Sequence, residues 1–178
     1  MKLSTDAGEV EYVNEPAYTF GSSDNTRTYQ FAKNLDAGSR PSSVHGVLLN
    51  GEPLAVFGAN GGATGFHSHA ALWLDHQLLL AIADRVLCLK LAPYEHCWTL
   101  RVDDATCYGI HYHSPTRSLI SHGELQICRF TNEGRILWHS GGRDIFTGEF
   151  RLGQSGIVAI DFNGFEHRFR YSDGRNDA

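Results

Sequence analysis

The most regular feature of this sequence is an apolar run, a tight turn and a second apolar run, which occurs four times. Short apolar stretches bounded by turn residues favour β-strands over helices. The sequence therefore predicts four antiparallel hairpins. They pair residues 44–49 with 53–57, 78–82 with 86–89, 119–120 with 125–128, and 157–160 with 165–171.

The residues between the paired runs are typical of hairpin turns. Asn50-Gly51 and Asn163-Gly164 are the strongest signals, because both positions of such a turn need a positive φ that Asn and Gly tolerate. His122-Gly123 is predicted as the turn of the third hairpin, and Ala83-Asp84 as the turn of the second.

The hairpins recur at a nearly constant spacing. Their turns begin at residues 50, 83, 122 and 163, which is the spacing of a propeller blade. At an offset of 40, Cys88 matches Cys128 and Trp98 matches Trp138. Further strands are predicted before the second and third hairpins and after them, so each repeat has about four strands. These flanking segments are residues 70–74 and 108–112, and then 96–100 and 136–138.

The third repeat resembles a known blade motif. Residues 123–138 read G-E-L-Q-I-C-R-F-T-N-E-G-R-I-L-W, which is similar to the tryptophan-bearing motif of the pyrroloquinoline-quinone-type β-propellers. Arg129 stands where that motif prefers Asp, and the stretch before Trp138 is one residue longer. The resemblance implies a propeller-like fold, and no activity follows from it.

The pattern predicts an all-β single domain over residues 1–178, with a repeat region at 44–171 arranged as a small propeller-like array. A β-sandwich is the alternative. The last repeat lacks a strand after its hairpin, so the N-terminal segment 1–43 is predicted to complete the last sheet and remove an exposed edge. Residues 24–37 fit a helix and a strand equally well.

Composition narrows the classes of function. The net charge of −5 and the pI near 6.0 argue against a nucleic-acid partner. The first residues lack the apolar run of a signal peptide and no apolar stretch reaches membrane-spanning length, so we expect a cytoplasmic protein without a membrane partner. The four cysteines match no zinc motif and are expected to be buried free thiols.

Two H-x-H pairs are the candidate metal ligands of this sequence. His67 and His69 form the first pair, and His111 and His113 form the second. Residues i and i+2 of a strand share a face, so each pair is able to chelate one ion. The pairs lie about one repeat apart, which would place them in adjacent sheets as a shared site for a divalent metal such as zinc or iron.

Two other segments are candidate binding elements. The glycine-rich loop of residues 58–65 is predicted to be an inter-strand loop able to contact a ligand, through Gly58, Asn60, Gly61, Gly62 and Gly65. Near the C-terminal end, Arg168 and Arg170 share a face of a predicted strand. They form either a solvated edge or a contact for an anion or an acidic partner.

These observations favour a non-enzymatic binding module without a cofactor, whose partner is a protein or a small ligand. The alternative is a metal-dependent enzyme or metal-binding protein built on the two H-x-H pairs. The chain is expected to be a monomer or a homodimer paired through sheet edges.

Overall fold

A computed structural model describes residues 1–63 and 65–177, and it is almost entirely β-structure. In the described residues the one helical segment is a short 3₁₀ turn, Ser114–Thr116. This confirms the all-β prediction. The strands are β1 Lys2–Thr5, β2 Gly8–Asn14, β3 Phe31–Asn34, β4 Ser43–Leu49, β5 Glu52–Ala59, β6 Ala71–Leu74, β7 Gln77–Ile82, β8 Arg85–Leu91, β9 Tyr94–Arg101, β10 Cys107–His113, β11 Ser118–Gly123, β12 Gln126–Phe130, β13 Ile136–Gly141, β14 Phe146–Leu152, β15 Ile157–Asp161 and β16 Glu166–Phe169.

The strands form four sheets, each built around one of the predicted hairpins. Sheet 1 has the order β1-β2-β4-β5-β3, sheet 2 β6-β7-β8-β9, sheet 3 β10-β11-β12-β13 and sheet 4 β14-β15-β16. Sheets 2 and 3 are antiparallel meanders of four consecutive strands. The predicted four-stranded repeat is therefore confirmed in these two sheets.

The sheets stack in series rather than as the two facing layers of a sandwich. One buried cluster joins sheets 1 and 2, a second joins sheets 2 and 3, and a third joins sheets 3 and 4. Each fully buried leucine or isoleucine in these clusters stabilises the stack by about 2 kcal/mol. Among the described residues no buried cluster joins sheet 4 to sheet 1, so the array is an open arc.

The two ends of the arc are covered differently. At sheet 1, the segment between β2 and β3 folds over the outer face, where Tyr18, Phe20 and Tyr29 pack on Val44 and Val56. Sheet 4 instead turns a charged outer face to solvent. Both solutions remove an apolar end surface that would otherwise aggregate, as capping repeats do in stacked arrays.

The predicted placement of the N-terminal segment in the last sheet is wrong. β2 pairs with β4, and β1 continues sheet 1 beyond β2. The reason is burial, since Val10 and Tyr12 point into the core between sheets 1 and 2, and the Tyr12 hydroxyl donates to the Ala81 carbonyl oxygen at 2.7 Å. The edge of β16 is partly covered by the chain that follows it, where Phe169 forms a bridge with Asn176.

Residues 24–37 contain a strand and no helix. β3 lies parallel to β5 at the edge of sheet 1, with Phe31 opposite Ala55. Asp36 positions the chain that follows β3. Its carboxylate accepts the Asn60 backbone N–H at 2.6 Å and pairs with Arg85. These contacts are long-range, so the local pattern could not choose between the two structures.

The third hairpin turns two residues later than predicted. β11 runs through His122 and Gly123, and the turn lies at Glu124 and Leu125. The buried carboxylate of Asp103 decides this position because it accepts the backbone N–H groups of Leu125 and Gln126 at 3.0 and 2.8 Å.

The match of Cys88 with Cys128 does not reflect equivalent positions. Both thiols lie in the cluster between sheets 2 and 3, so they face each other from opposite sheets. The two tryptophans are equivalent, since each indole N–H donates to a carbonyl oxygen of the next sheet's outer turn. Trp98 donates to Asn132 at 3.0 Å, and Trp138 to Tyr171 at 2.9 Å.

Candidate functional site: a histidine cluster at the first strands of sheets 3 and 4

The first H-x-H pair lies in a turn rather than on a strand. β6 begins at Ala71, and the Ala70 backbone N–H closes the turn by donating to the His67 carbonyl oxygen at 3.0 Å. His67 and His69 are both exposed, with ring centroids 6.4 Å apart. The expectation that this pair shares a strand face is therefore wrong.

The second pair lies on β10, and its two members have different surroundings. The His111 ring lies 4.2 Å from the His69 ring, with 33° between the planes. The His113 ring instead stacks on Tyr171 at 3.8 Å, and its Nδ1 is hydrogen-bonded to the Thr116 hydroxyl at 2.7 Å. The structure thus brings three of the four candidate imidazoles together and places His113 apart.

A further histidine joins the group from β11. His122 stacks on Phe150 of β14 with centroids 4.5 Å apart, and His111 contacts the same phenyl ring at 4.7 Å. Tyr108 approaches His122 edge-on at 5.4 Å. We call His67, His69, His111 and His122 the histidine cluster.

Gly109 allows the turn that carries His67 and His69 to lie close to β10. Gly109 lies opposite His122 in the β10–β11 ladder, and a Cβ there would be 2.8 Å from His69 Cβ and 3.2 Å from His67 Cε1. The turn is held against β10 by the Ile110 backbone N–H, which donates to the His69 carbonyl oxygen at 2.9 Å. Any side chain at position 109 would push the turn away from the cluster.

The cluster holds its buried imidazoles in the neutral form. Burial, reinforced by the neighbouring imidazoles, lowers the pKa of His111 to about 3 and that of His122 to about 4. Burial also lowers the pKa of His67. The Nε2 atom of His122 is buried and has no hydrogen-bond partner among residues 1–63 and 65–177.

The rings are not arranged around a common ion. The His69 and His111 rings are tilted by 33° at 4.2 Å, and the His67 ring lies 6.4 Å from the His69 ring. In residues 1–63 and 65–177 no group of three or more His, Cys, Asp or Glu side chains has the geometry of a metal site.

The glycine-rich loop packs on the linker between sheets 2 and 3. Gly58 lies in β5 under Phe20 and Pro41, and the Gly62 backbone N–H donates to the Ala105 carbonyl oxygen at 2.8 Å. Asn60 is held by Asp36, as described above, and a Cβ on Gly61 would meet the same Ala105 oxygen. Gly65 is exposed with open space beside it. Thr64 lies outside the described residues.

The cysteines are free thiols, and three of them are buried. Burial raises the pKa of Cys88 and of Cys128 to about 12, and it also raises the pKa of Cys107. A thiol with a raised pKa is a poor nucleophile at neutral pH, which supports a structural role.

Sequence reasoning missed His122 because it assigned this residue to a turn. Tyr108 and Phe150, which contact His122, do not belong to a recognisable sequence motif either. The available signal was alternation along β11, where Ile120 and His122 share a face.

Comparisons with known proteins identify the fold and no function. No family model matches the chain, and none of the curated proteins matches it. Among solved structures, BamB from Moraxella catarrhalis, a β-propeller protein, is 14% identical with a TM-score of 0.53 and matches 76% of this chain and 43% of its own. The computationally designed Ika8 protein is 11% identical with a TM-score of 0.51 and matches 74% of this chain and 41% of its own.

This chain therefore spans about two fifths of the length of both structures. The likeness confirms a propeller-like fold. Within the described residues no helix is long and apolar enough to span a membrane.

Proposed function

We propose that this protein is a non-enzymatic binding module whose ligand site is the histidine cluster together with Tyr108 and Phe150. The observation that carries the proposal is the buried Nε2 of His122, which lies beside the Tyr108 and Phe150 rings and has no hydrogen-bond partner in the described part of the chain. Buried polar atoms are nearly always hydrogen-bonded, so an unpaired one supports a position completed by a ligand.

The chemistry of the cluster favours a ligand with a flat ring and hydrogen-bonding groups. Neutral imidazoles supply both a donor and an acceptor, and stacked rings offer flat apolar faces. Because His111 and His122 remain uncharged at neutral pH, the site favours a neutral ligand over an anion. Small β-propeller scaffolds are compatible with this use, and the resemblance of residues 123–138 to quinone-type blades supports the scaffold alone.

A ligand panel of nucleosides, sugars and aromatic amino acids, followed by titration calorimetry, tests the proposal. We expect a compound that raises the Tm of the natural protein and binds His111→Gln at least about ten-fold more weakly, the loss of one good hydrogen bond. His139→Gln, an exposed histidine on β13, is the matched control and should bind normally. Equal binding to both variants, or turnover of a panel compound, would contradict the proposal.

Metal binding is the second candidate, favoured by the proximity of the His67, His69 and His111 rings. Binding would require the His69 ring to rotate away from the His111 ring. Protein purified without chelating resin and loaded with zinc or nickel should then hold about one equivalent by elemental analysis, and His69→Ala should lose it. Retention of the ion by His69→Ala would exclude this candidate.

A further inference from the structure

The outer face of sheet 4 carries a row of aligned side chains. Arg151 of β14, Val158 of β15 and Arg168 of β16 lie directly opposite one another in the ladder. Cross-strand neighbours point to the same face of a sheet. The opposite face, with Ile157, packs on sheet 3, so this row points outward.

The row forms the floor and walls of a cavity. Val158 faces away from the core, is only 6% exposed and lines the cavity together with the two arginines. Arg170, two residues beyond Arg168, adds a third guanidinium on the same side. The cavity has a volume of about 350 Å³ and is closed at one end by the β14–β15 turn, residues 153–156.

Among the described residues, exposed ion pairs hold these guanidinium groups, and most of these pairs are loose. Arg151 lies 3.5 Å from both Glu149 and Glu166, and Arg170 lies 3.5 Å from Asp177 and 3.7 Å from Asp173. Arg168 has the one close contact, 2.5 Å from Glu166. Exposed pairs of this kind contribute little to stability, so a competing anion displaces them at low cost.

We propose that this cavity binds a small multivalent oxyanion, with Arg168 and Arg170 as its main ligands and Arg151 as the third. Guanidinium groups match the geometry of phosphate and carboxylate oxygens and bind them in pairs. Three arginines and one carboxylate, that of Asp177, line the cavity, so its lining is positive in a chain with a net charge of −5. This site is independent of the histidine cluster and of the function proposed for it.

Glu166 is the carboxylate with which a bound anion would compete directly. Its carboxylate bridges Arg151 and Arg168 and therefore competes with the anion for both. Replacing it by glutamine would free the two arginines without adding any positive group.

Titration calorimetry at low ionic strength with pyrophosphate, and separately with citrate, tests the proposal. We expect at least one probe to bind with about one equivalent, and Arg168→Gln and Arg170→Gln each to weaken it about ten-fold, the loss of one charge-assisted hydrogen bond. Glu166→Gln should tighten binding. The stronger of the two probes identifies phosphate or carboxylate chemistry as the preferred class.

The matched control is Arg135→Gln, an exposed arginine in the β12–β13 turn with the same change of charge. If neither probe binds, the proposal is wrong. It is also wrong if Arg135→Gln weakens binding as much as Arg168→Gln does. Unchanged binding in Arg168→Gln and Arg170→Gln would also overturn it. Melting temperatures of all variants, measured without anion, show that each is folded.

Discussion

At the scale of single residues, the histidine cluster is governed by desolvation. His111 and His122 are half-buried and face other imidazoles and the rings of Phe150 and Tyr108, with no carboxylate among these contacts. Protonation of either would bury a positive charge without a counter-ion. The neutral form is therefore strongly favoured in the folded state and much less so in the unfolded chain.

This difference predicts a loss of stability in mild acid. In the unfolded chain the two histidines take up protons near pH 6.5, whereas in the folded protein they do so at about 3 and about 4. The free energy of unfolding should therefore fall as the pH drops below about 6.5, by up to ~1.4 kcal/mol per pH unit for each group. Denaturant titrations between pH 7.5 and 5 measure this fall in the free energy of unfolding.

The double variant His111→Gln/His122→Gln is the comparison for this effect. Its unfolding free energy should depend less on pH over the same interval, because both proton-binding groups are gone. A pH dependence equal to that of the natural protein would show that other groups are responsible.

At the scale of elements, one carboxylate positions the third hairpin. Asp103 follows sheet 2 and accepts four backbone N–H groups, two from its own turn and two from the β11–β12 turn. It thereby ties sheet 2 to sheet 3 and determines where β11 ends. The position of His122 in the cluster depends on this placement.

Asp103→Ala should cost at least about 3 kcal/mol of unfolding free energy, because four backbone donors lose their acceptor in a buried place. The neighbouring Asp104 is exposed and pairs loosely with Arg101 at 3.4 Å, so Asp104→Ala should cost less than about 1 kcal/mol. Equilibrium denaturation of the two variants compares them. Equal losses would mean that the carboxylate of Asp103 does not hold the two sheets together.

At the scale of the whole molecule, the open arc depends on its N-terminal hairpin. β2 lies between β1 and β4 in sheet 1, and Tyr12 crosses to the Ala81 carbonyl oxygen of sheet 2. The segment between β2 and β3 covers the outer face of the same sheet. The N-terminal residues therefore supply part of the inner face of sheet 1 and cover its outer face.

Deletion of residues 1–14 should lower the Tm markedly, since Val10 and Tyr12 are fully buried. Deletion of residues 1–5, which removes the half-exposed β1 alone, should have a smaller effect. Should the longer deletion fail to fold, Tyr12→Phe tests the same contact and should cost about 1 kcal/mol through the lost hydrogen bond. A Tm unaffected by the longer deletion would contradict this role.

The sequence by itself determined the repeated hairpins, the four-stranded units of sheets 2 and 3 and the propeller-like class, because alternation and turn residues act over a few neighbouring residues. Only the tertiary structure decided the strand at 31–34, the turn at Glu124, the separation of His113 and the inclusion of His122. Each of these depends on a group distant in sequence, such as Arg85, Asp103, Tyr171 or Phe150. The N-terminal strand was misplaced for the same reason, since its apolar face fits either end of the array and only packing against sheet 2 distinguishes them.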